Sequence, residues 1–298
     1  MDVSIIIVNY KTVPLIINCI HSILEYVRDI EYEVIVVDNH SEDGFQERLW
    51  TEFGEKVVCL PLPENIGFGR ANNEGVKIAR GRNIFCLNPD TILLNNAVKI
   101  LSDFLDQHSE VAICGGNLYD EDLKPVHSFC RTLPSVFWEL NLLFMNIPEK
   151  ILFSKNRHFN YSMNPINVGY ITGADLMIKK EVFENIGGFS PDFFMYYEET
   201  DLCYRVKKNK LKIMSVPLAK IQHLEGRSFD NNIIKVSRIV YSEKGRIIFY
   251  KRNYSYLYRK ICDIIYDLFL LSRLLILKKN TQKYSYYANK RKFYIENL

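Results

Sequence analysis

Five short stretches of the 298-residue chain carry side chains that could do chemistry: Val37-Asp38-Asn39, Gly67-Phe68-Gly69-Arg70, Asn88-Pro89-Asp90, Glu198-Glu199-Thr200-Asp201 and His223. Asp90 closes the apolar run Ile84-Phe85-Cys86-Leu87. A carboxylate at the end of a buried strand can hold a divalent cation against a phosphorylated substrate, although Asn-Pro-Asp would serve equally as a turn. Asp38 ends a second such run, where an acceptor can bind the base or ribose of a nucleotide or cap the next helix. Gly67 and Gly69 permit close backbone approach, so that N–H groups and the Arg70 guanidinium could meet a diphosphate. Three carboxylates in four residues, Glu198, Glu199 and Asp201, suit the positive end of a helix. Crowded in a pocket, they would also keep one carboxylate basic enough to take a proton from a hydroxyl. His223 offers either a metal ligand or a structural ring.

The elements that must position these groups follow from the hydrophobic pattern. Val3 to Val8, Tyr32 to Val37, Lys56 to Leu60, Ile84 to Leu87, Val111 to Gly116 and Leu211 to Val216 read as strands, several of them buried on both faces. Leu15, Ile16, Cys19, Ile20, Ile23 and Leu24 recur at helical spacing after Pro14, and helices are also expected before Arg80 and over Ala97 to Leu105. Pro89 is read as the point where sheet pairing ends. Residues 120 to 165 are aromatic and irregular, a candidate cover for a sugar site. Thr172-Gly173-Ala174-Asp175 interrupts two apolar stretches with small residues, which also allows tight packing alone. Asp201 and Arg205 stand at i,i+4 and are expected to pair. Alternation of strands and helices places the chain in the α/β class with a mostly parallel central sheet.

Charge divides the chain. Residues 231 to 298 hold 15 Lys/Arg against 4 Asp/Glu, a net +11, so with +3 overall the first 230 residues carry −8. We therefore read residues 1 to 230 as one α/β domain and residues 231 to 298 as a basic, aromatic-rich helical extension. Ile261 to Leu277 is interrupted by Asp263, Asp267 and Arg273, which argues against a membrane-spanning helix. It suits a helix lying on an anionic membrane surface, packing on the body or meeting a second copy in a homodimer. Nucleic acid is not an expected partner, because no binding motif accompanies the basic tail. Seven cysteines without CxxC spacing read as reduced, buried thiols, and the immediate opening strand lacks a basic n-region; both suit a cytoplasmic protein. The glycine pattern is neither a P-loop nor a GxGxxG fingerprint.

Taken in order, Ile6-Ile7-Val8-Asn9-Tyr10, Val36-Val37-Asp38-Asn39 with Ser41, Asp43 and Gly44, Asn65-Ile66-Gly67-Phe68 with Ala71 and Asn73, and Leu87-Asn88-Pro89-Asp90 resemble the family 2 inverting glycosyltransferases of GT-A fold. The branch most resembled is the rhamnosyltransferase-like one of bacterial surface polysaccharides, with Asn-Pro-Asp in place of Asp-x-Asp. The resemblance implies a nucleoside diphosphate sugar donor, dTDP-rhamnose favoured, and an oligosaccharide or lipid-linked acceptor. It implies nucleotide-sugar contacts from Val8, Asn9, Tyr10, Asp38, Asn65, Gly67, Arg70, Asn73, Asn88, Gly173 and Ala174. It further implies Mg²⁺ or Mn²⁺ at Asp90, with His223, Arg227 and Ser228 of a His-x-x-Gly-x-Ser element near the metal or diphosphate. Glu-Glu-Thr-Asp-Leu-Cys-Tyr-Arg is similar to the family's Glu-Asp-x-Asp-Leu-x-x-Arg, which makes Glu199 the candidate base and Glu198 its nearest substitute. Two rivals share these features: a sugar-phosphate nucleotidyltransferase, whose Arg- and Lys-bearing signature is missing after Val8, and a non-catalytic transferase relative serving as a binding or assembly partner.

Overall fold

The computed structural model describes residues 1–224 and 233–298. In chain order the elements are β1 (Val3–Asn9), α1 (Val13–Tyr26), β2 (Tyr32–Asp38), α2 (Phe45–Phe53), β3 (Val57–Pro61), α3 (Phe68–Ile78), β4 (Asn83–Leu87), β5 (Thr91–Leu93), α4 (Ala97–Gln107) and β6 (Val111–Tyr119). Then follow β7 (Phe129–Cys130), α5 (Val136–Leu143), α6 (Ile147–Phe153), β8 (Ile166–Asn167), β9 (Tyr170–Ile171), β10 (Asp175–Lys179), α7 (Lys180–Asn185), α8 (Glu198–Lys208), β11 (Lys212–His223), α9 (Ile233–Asn253), α10 (Tyr256–Ile276) and α11 (Gln282–Asn297).

Among the described residues the main sheet runs β3-β2-β1-β4-β10-β6-β11-β5, with β8 also on β11, and a small second sheet pairs β7 with β9. The strands β3, β2, β1 and β4 pair in parallel, as the buried apolar runs led one to expect. Ile5, Ile7, Val34, Val36, Phe85 and Leu87 pack on one side, while Ile6, Val8, Ile35, Val37, Ile84 and Cys86 pack on the other. Alternate residues thus fill two separate cores, which is why these strands read as continuous hydrophobic runs. Each fully buried aliphatic side chain contributes about 1.5–3 kcal/mol, offset by the entropy of ordering it. The second half of the sheet is mixed, because β10 runs antiparallel to both β4 and β6.

Two local expectations need correction. Sheet pairing does not end at Pro89: β5 resumes it directly after Asp90, antiparallel to the end of β11. Residues 120 to 165 are less irregular than their composition suggests, since α5 and α6 lie within them and α10 packs along α5.

The C-terminal helices lie against the body. Tyr204 of α8 donates its hydroxyl proton to the Asn253 carbonyl at 2.9 Å, and Phe193, Phe249, Tyr250 and Cys262 form a shared buried cluster. Arg246 is enclosed between Glu139 at 3.0 Å, Asp263 at 3.4 Å and the rings of Tyr250, Tyr266 and Tyr294. On its other face α10 exposes Leu257, Ile261, Ile264, Leu268 and Leu275. No helix among the described residues is long and apolar enough to cross a membrane.

Candidate active site at the carboxyl edge of the sheet

The parallel strands β1, β2 and β4 all end at one edge, and a cleft opens there. It is lined by Val8, Tyr10, Thr12, Asn39, Asn65, Gly67, Phe68, Asn88, Pro89, Asp90 and Met195. Five of the residues expected to bind donor, Val8, Tyr10, Asn65, Gly67 and Asn88, are therefore brought together with Asp90, the expected metal ligand. The edge of a parallel sheet beyond its strand ends is a common ligand position, because loops there escape the sheet's hydrogen-bond ladder.

Asp90 sits where β4 gives way to β5. Its backbone carbonyl accepts from the Leu224 N–H at 2.9 Å, so the end of β11 is tied to it. This brings His223 Nε2 to 3.3 Å from Asp90 Oδ1, with Asn88 Nδ2 at 3.5 Å from the same ring nitrogen. Asp90 is 6% exposed. A carboxylate oxygen, an imidazole nitrogen and the nearby Asn88 amide are a donor set that suits a divalent cation and leaves positions for phosphate oxygens. Arg227 and Ser228 lie outside the described residues.

Gly67 shapes the opposite wall. Its φ is +87°, and a Cβ built there would lie 2.2 Å from the Phe194 carbonyl oxygen, so a side chain is excluded on both counts. Phe68 donates its N–H to that same carbonyl at 3.0 Å. The start of α3 is thereby joined to the segment that leads into α8.

The acidic cluster opens α8 as the sequence suggested, and a strained turn aims it. Tyr196 and Tyr197 both take positive φ, 68° and 73°, immediately before Glu198. Two consecutive non-glycine residues in the left-handed region cost of order 1 kcal/mol or more each and persist only where surrounding packing imposes them. That packing comes from α9, where a Cβ added at Gly245 would lie 2.8 Å from the Tyr196 carbonyl oxygen. Glu198 is buried and its Oε2 has no hydrogen-bond partner, whereas Glu199 is part-exposed and accepts from Thr200 Oγ1 at 3.2 Å. Burial raises both carboxyls above the ordinary range, Glu198 further because Glu199 adds a like charge.

Four expected donor contacts are occupied elsewhere. Asn9 donates to Asp38 Oδ1 at 2.7 Å and to Ser41 Oγ at 3.0 Å, and the Ser41 N–H reaches Asp38 Oδ2 at 3.1 Å. These two residues clip the ends of β1 and β2 together, and neither lines the cleft. Arg70 donates to the Pro191 carbonyl through Nε at 2.8 Å. Asn73 exchanges two hydrogen bonds with the Phe189 backbone, at 2.8 and 2.9 Å. Both hold the loop before α8 rather than facing the cleft. Gly173 packs toward the Phe68 ring, which lines the cleft, and the carbonyl of Ala174 accepts from the Asn88 N–H at 2.9 Å, so Ala174 holds the Asn88 backbone.

Thr12, Asn39, Phe68 and Met195 line the cleft without having been assigned a binding role from the sequence. Asn39 had a signal, its place next to Asp38 at the strand end. There its amide bridges Asn65 Oδ1 and the Ile66 N–H, both at 2.9 Å. The apolar members carried none.

Residues 4–187 match the family described as "Glycosyl transferase family 2", and residues 154–227 match "N-terminal domain of galactosyltransferase". The chain is 28% identical over 216 residues to the low-salt glycan biosynthesis hexosyltransferase Agl10 of Haloferax volcanii, covering 71% of this chain and 64% of that protein. It is 22% identical to the dTDP-rhamnosyl transferase RfbF of Shigella flexneri, covering 89% and 86% of the two chains. A Mycobacterium tuberculosis N-acetylglucosaminyl-diphospho-decaprenol L-rhamnosyltransferase is 25% identical over 65% of this chain and 67% of its own. Among solved structures, GalNAc-T7 with UDP, GalNAc and Mn²⁺ superposes with a TM-score of 0.60 at 14% identity, covering 100% of this chain and 56% of that one. Staphylococcus aureus TarS superposes with a TM-score of 0.53 at 16% identity, covering 99% and 80%.

Proposed function

The chain belongs to glycosyl transferase family 2 and has the GT-A fold, and from that premise we propose that it moves a sugar from a nucleoside diphosphate to a hydroxyl of a growing surface glycan. The observation that carries this reading is the convergence of Asp90, His223 and Asn88 at the edge of the cleft that Tyr10, Asn65 and Gly67 line. The rhamnosyltransferases among its relatives favour dTDP-rhamnose as donor and a lipid-linked saccharide as acceptor.

In this reading Asp90 and His223 hold Mg²⁺ or Mn²⁺, which when bound would offset the charge of the departing diphosphate. Tyr10, Thr12, Asn39 and Asn65 bind and orient the nucleotide. Glu199 takes the acceptor proton during in-line attack, which inverts the anomeric centre. Its raised pKa suits that task, because a more basic carboxylate is a better proton acceptor. Glu198, which is buried, props the start of α8. The Leu257 to Leu275 face of α10, with basic residues around it, would rest on an anionic membrane surface and bring the cleft to a lipid-linked acceptor. We retain residues 1 to 230 as the transferase domain and the basic remainder as its extension.

Donor identity is tested by thermal-shift titration of the full chain with dTDP, UDP, GDP and the corresponding sugars, with and without Mn²⁺. Saturable, metal-enhanced stabilisation by dTDP and dTDP-rhamnose supports the reading. No stabilisation by any nucleotide would remove it.

A further inference from the structure

A second cluster of ligating side chains lies away from the cleft. His127 lies two residues before the short strand β7, Cys130 is the last residue of that strand, and His158 comes from the loop after α6. One donor atom from each of the three lies within 4.8 Å of the others, and His127 Nε2 is 3.1 Å from Cys130 Sγ. The backbone fixes this meeting, since the His158 carbonyl accepts the Ser128 N–H at 2.8 Å. A thiol-to-imidazole hydrogen bond would explain the first pair. It leaves two buried atoms unanswered: His158 Nδ1 and Glu149 Oε1 have no hydrogen-bond partner. Leaving such groups unsatisfied costs about 1–3 kcal/mol each.

Glu149 stands behind the cluster. It is 2% exposed, its Oε2 is 3.9 Å from His158 Nε2, and Asn141 holds it through hydrogen bonds at 3.0 and 3.1 Å. A carboxylate behind one ring nitrogen, with the other nitrogen buried and unpartnered, is the pattern that orients a histidine toward a metal.

We infer that His127, Cys130 and His158 bind one zinc ion, oriented by Glu149, at a site separate from the Asp90 and His223 pair. Thiolate and imidazole donors select a borderline-soft ion over Mg²⁺ or Mn²⁺. A tetrahedral zinc site places donor atoms about 3.3–3.8 Å apart, so side-chain rotation suffices to close the set. His127 is the exposed member and gives an ion its way in. Zinc binding would form the S–Zn bond as the Cys130 thiol proton leaves to solvent. The thiolate and Glu149 balance the ion's charge beside Arg131. Such a clamp would pin the loop after α6 to β7, whose partner β9 carries Tyr170, hydrogen-bonded to Cys130 and within the field of Glu199.

The test is a Co²⁺ titration of the chelator-stripped full chain. One equivalent should bind with a thiolate-to-cobalt charge-transfer band and the visible bands of tetrahedral Co²⁺, reversed by Zn²⁺. Cys130→Ser should abolish the charge-transfer band, Glu149→Gln should weaken Co²⁺ binding about tenfold or more, and Asp90→Ala should leave the band intact. X-ray absorption of the zinc-loaded wild type should show a single sulfur at about 2.3 Å, independently of how any variant folds. Absence of the band in the wild type, its survival in Cys130→Ser, or a shell of nitrogen and oxygen alone would overturn the proposal. Unchanged Co²⁺ affinity in Glu149→Gln would remove Glu149 from it.

Discussion

Asn253, at the end of α9, donates a 3.0 Å hydrogen bond to Oδ1 of Asp201, in the first turn of the helix that carries Glu198 and Glu199. Asp201 is fully buried, and its Oδ2 accepts from Arg205 Nε at 2.8 Å, one helical turn on. Arg205 in turn donates to the Ile186 and Gly188 carbonyls, both at 2.7 Å. The extension is thus wired to the acidic helix rather than trailing behind it. Asp201→Ala would leave the Arg205 cation without its carboxylate and should cost about 3 kcal/mol of stability, against about 1–2 kcal/mol for Asn253→Ala. Chemical denaturation monitored by circular dichroism measures both, and equal, negligible losses would contradict this wiring.

Gly245 should tolerate no larger side chain. Its Cα faces the Tyr196 carbonyl, and a Cβ there would also lie 3.0 Å from the Tyr197 ring. Gly245→Val should push the turn before Glu198 and lower sugar transfer at least tenfold, while nucleotide binding at the far wall of the cleft changes little. Calorimetric nucleotide titration alongside a transfer assay separates the two effects. Unimpaired transfer would show that α9 does not set this turn.

Glu198 links stability to pH with a definite sign. Burial and the neighbouring Glu199 raise its folded-state pKa, so its contribution is fully present below the unfolded carboxylate value near ~4.3 and is lost as pH rises through the folded value. Glu198→Gln should therefore raise the melting temperature at pH 7, and the gain should vanish below about pH 4. Melting curves across that range read the difference directly; a variant less stable than wild type at pH 7 would refute it.

Asp90 and His223 should behave as a pair. Asp90→Ala or His223→Ala should abolish the Mn²⁺ enhancement of dTDP binding, leaving weak, metal-independent binding and an unchanged fold. Isothermal titration with and without Mn²⁺ checks this. Enhancement that survives both substitutions would place the metal elsewhere.

The sequence made some of this site legible for physical reasons that its residues display. A strand buried on both faces announces itself through an unbroken apolar run, so Ile84 to Leu87 located β4 and Asp90 at its end. The Asp201 and Arg205 pair was equally visible, because helical spacing puts i and i+4 on one face. β5 was not visible: its three residues become a strand only by pairing with β11, far along the chain. Nor could spacing show that Arg70 and Asn73 spend their hydrogen bonds on the loop at Phe189 and Pro191, a tertiary contact. Residues 120 to 165 looked irregular because α5 buries Glu139 and Asn141, placing polar side chains where an amphipathic pattern would show apolar ones. His127, Cys130 and His158 likewise become neighbours only when the loop after α6 returns to β7.

The central claim is that Glu199 is the base of a sugar transfer whose donor lies at Asp90. The measurement that bears on it most directly is release of dTDP from dTDP-rhamnose by Glu199→Gln, with Mn²⁺ and a lipid-linked saccharide that the wild type accepts. The account predicts donor affinity within about twofold of wild type and turnover reduced by 10²-fold or more, the usual contribution of a positioned base. It also predicts that wild-type kcat/KM falls on the acid side at a pH above the ordinary carboxylate range, because Glu199 must be ionised to act. Turnover by Glu199→Gln equal to wild type would contradict it.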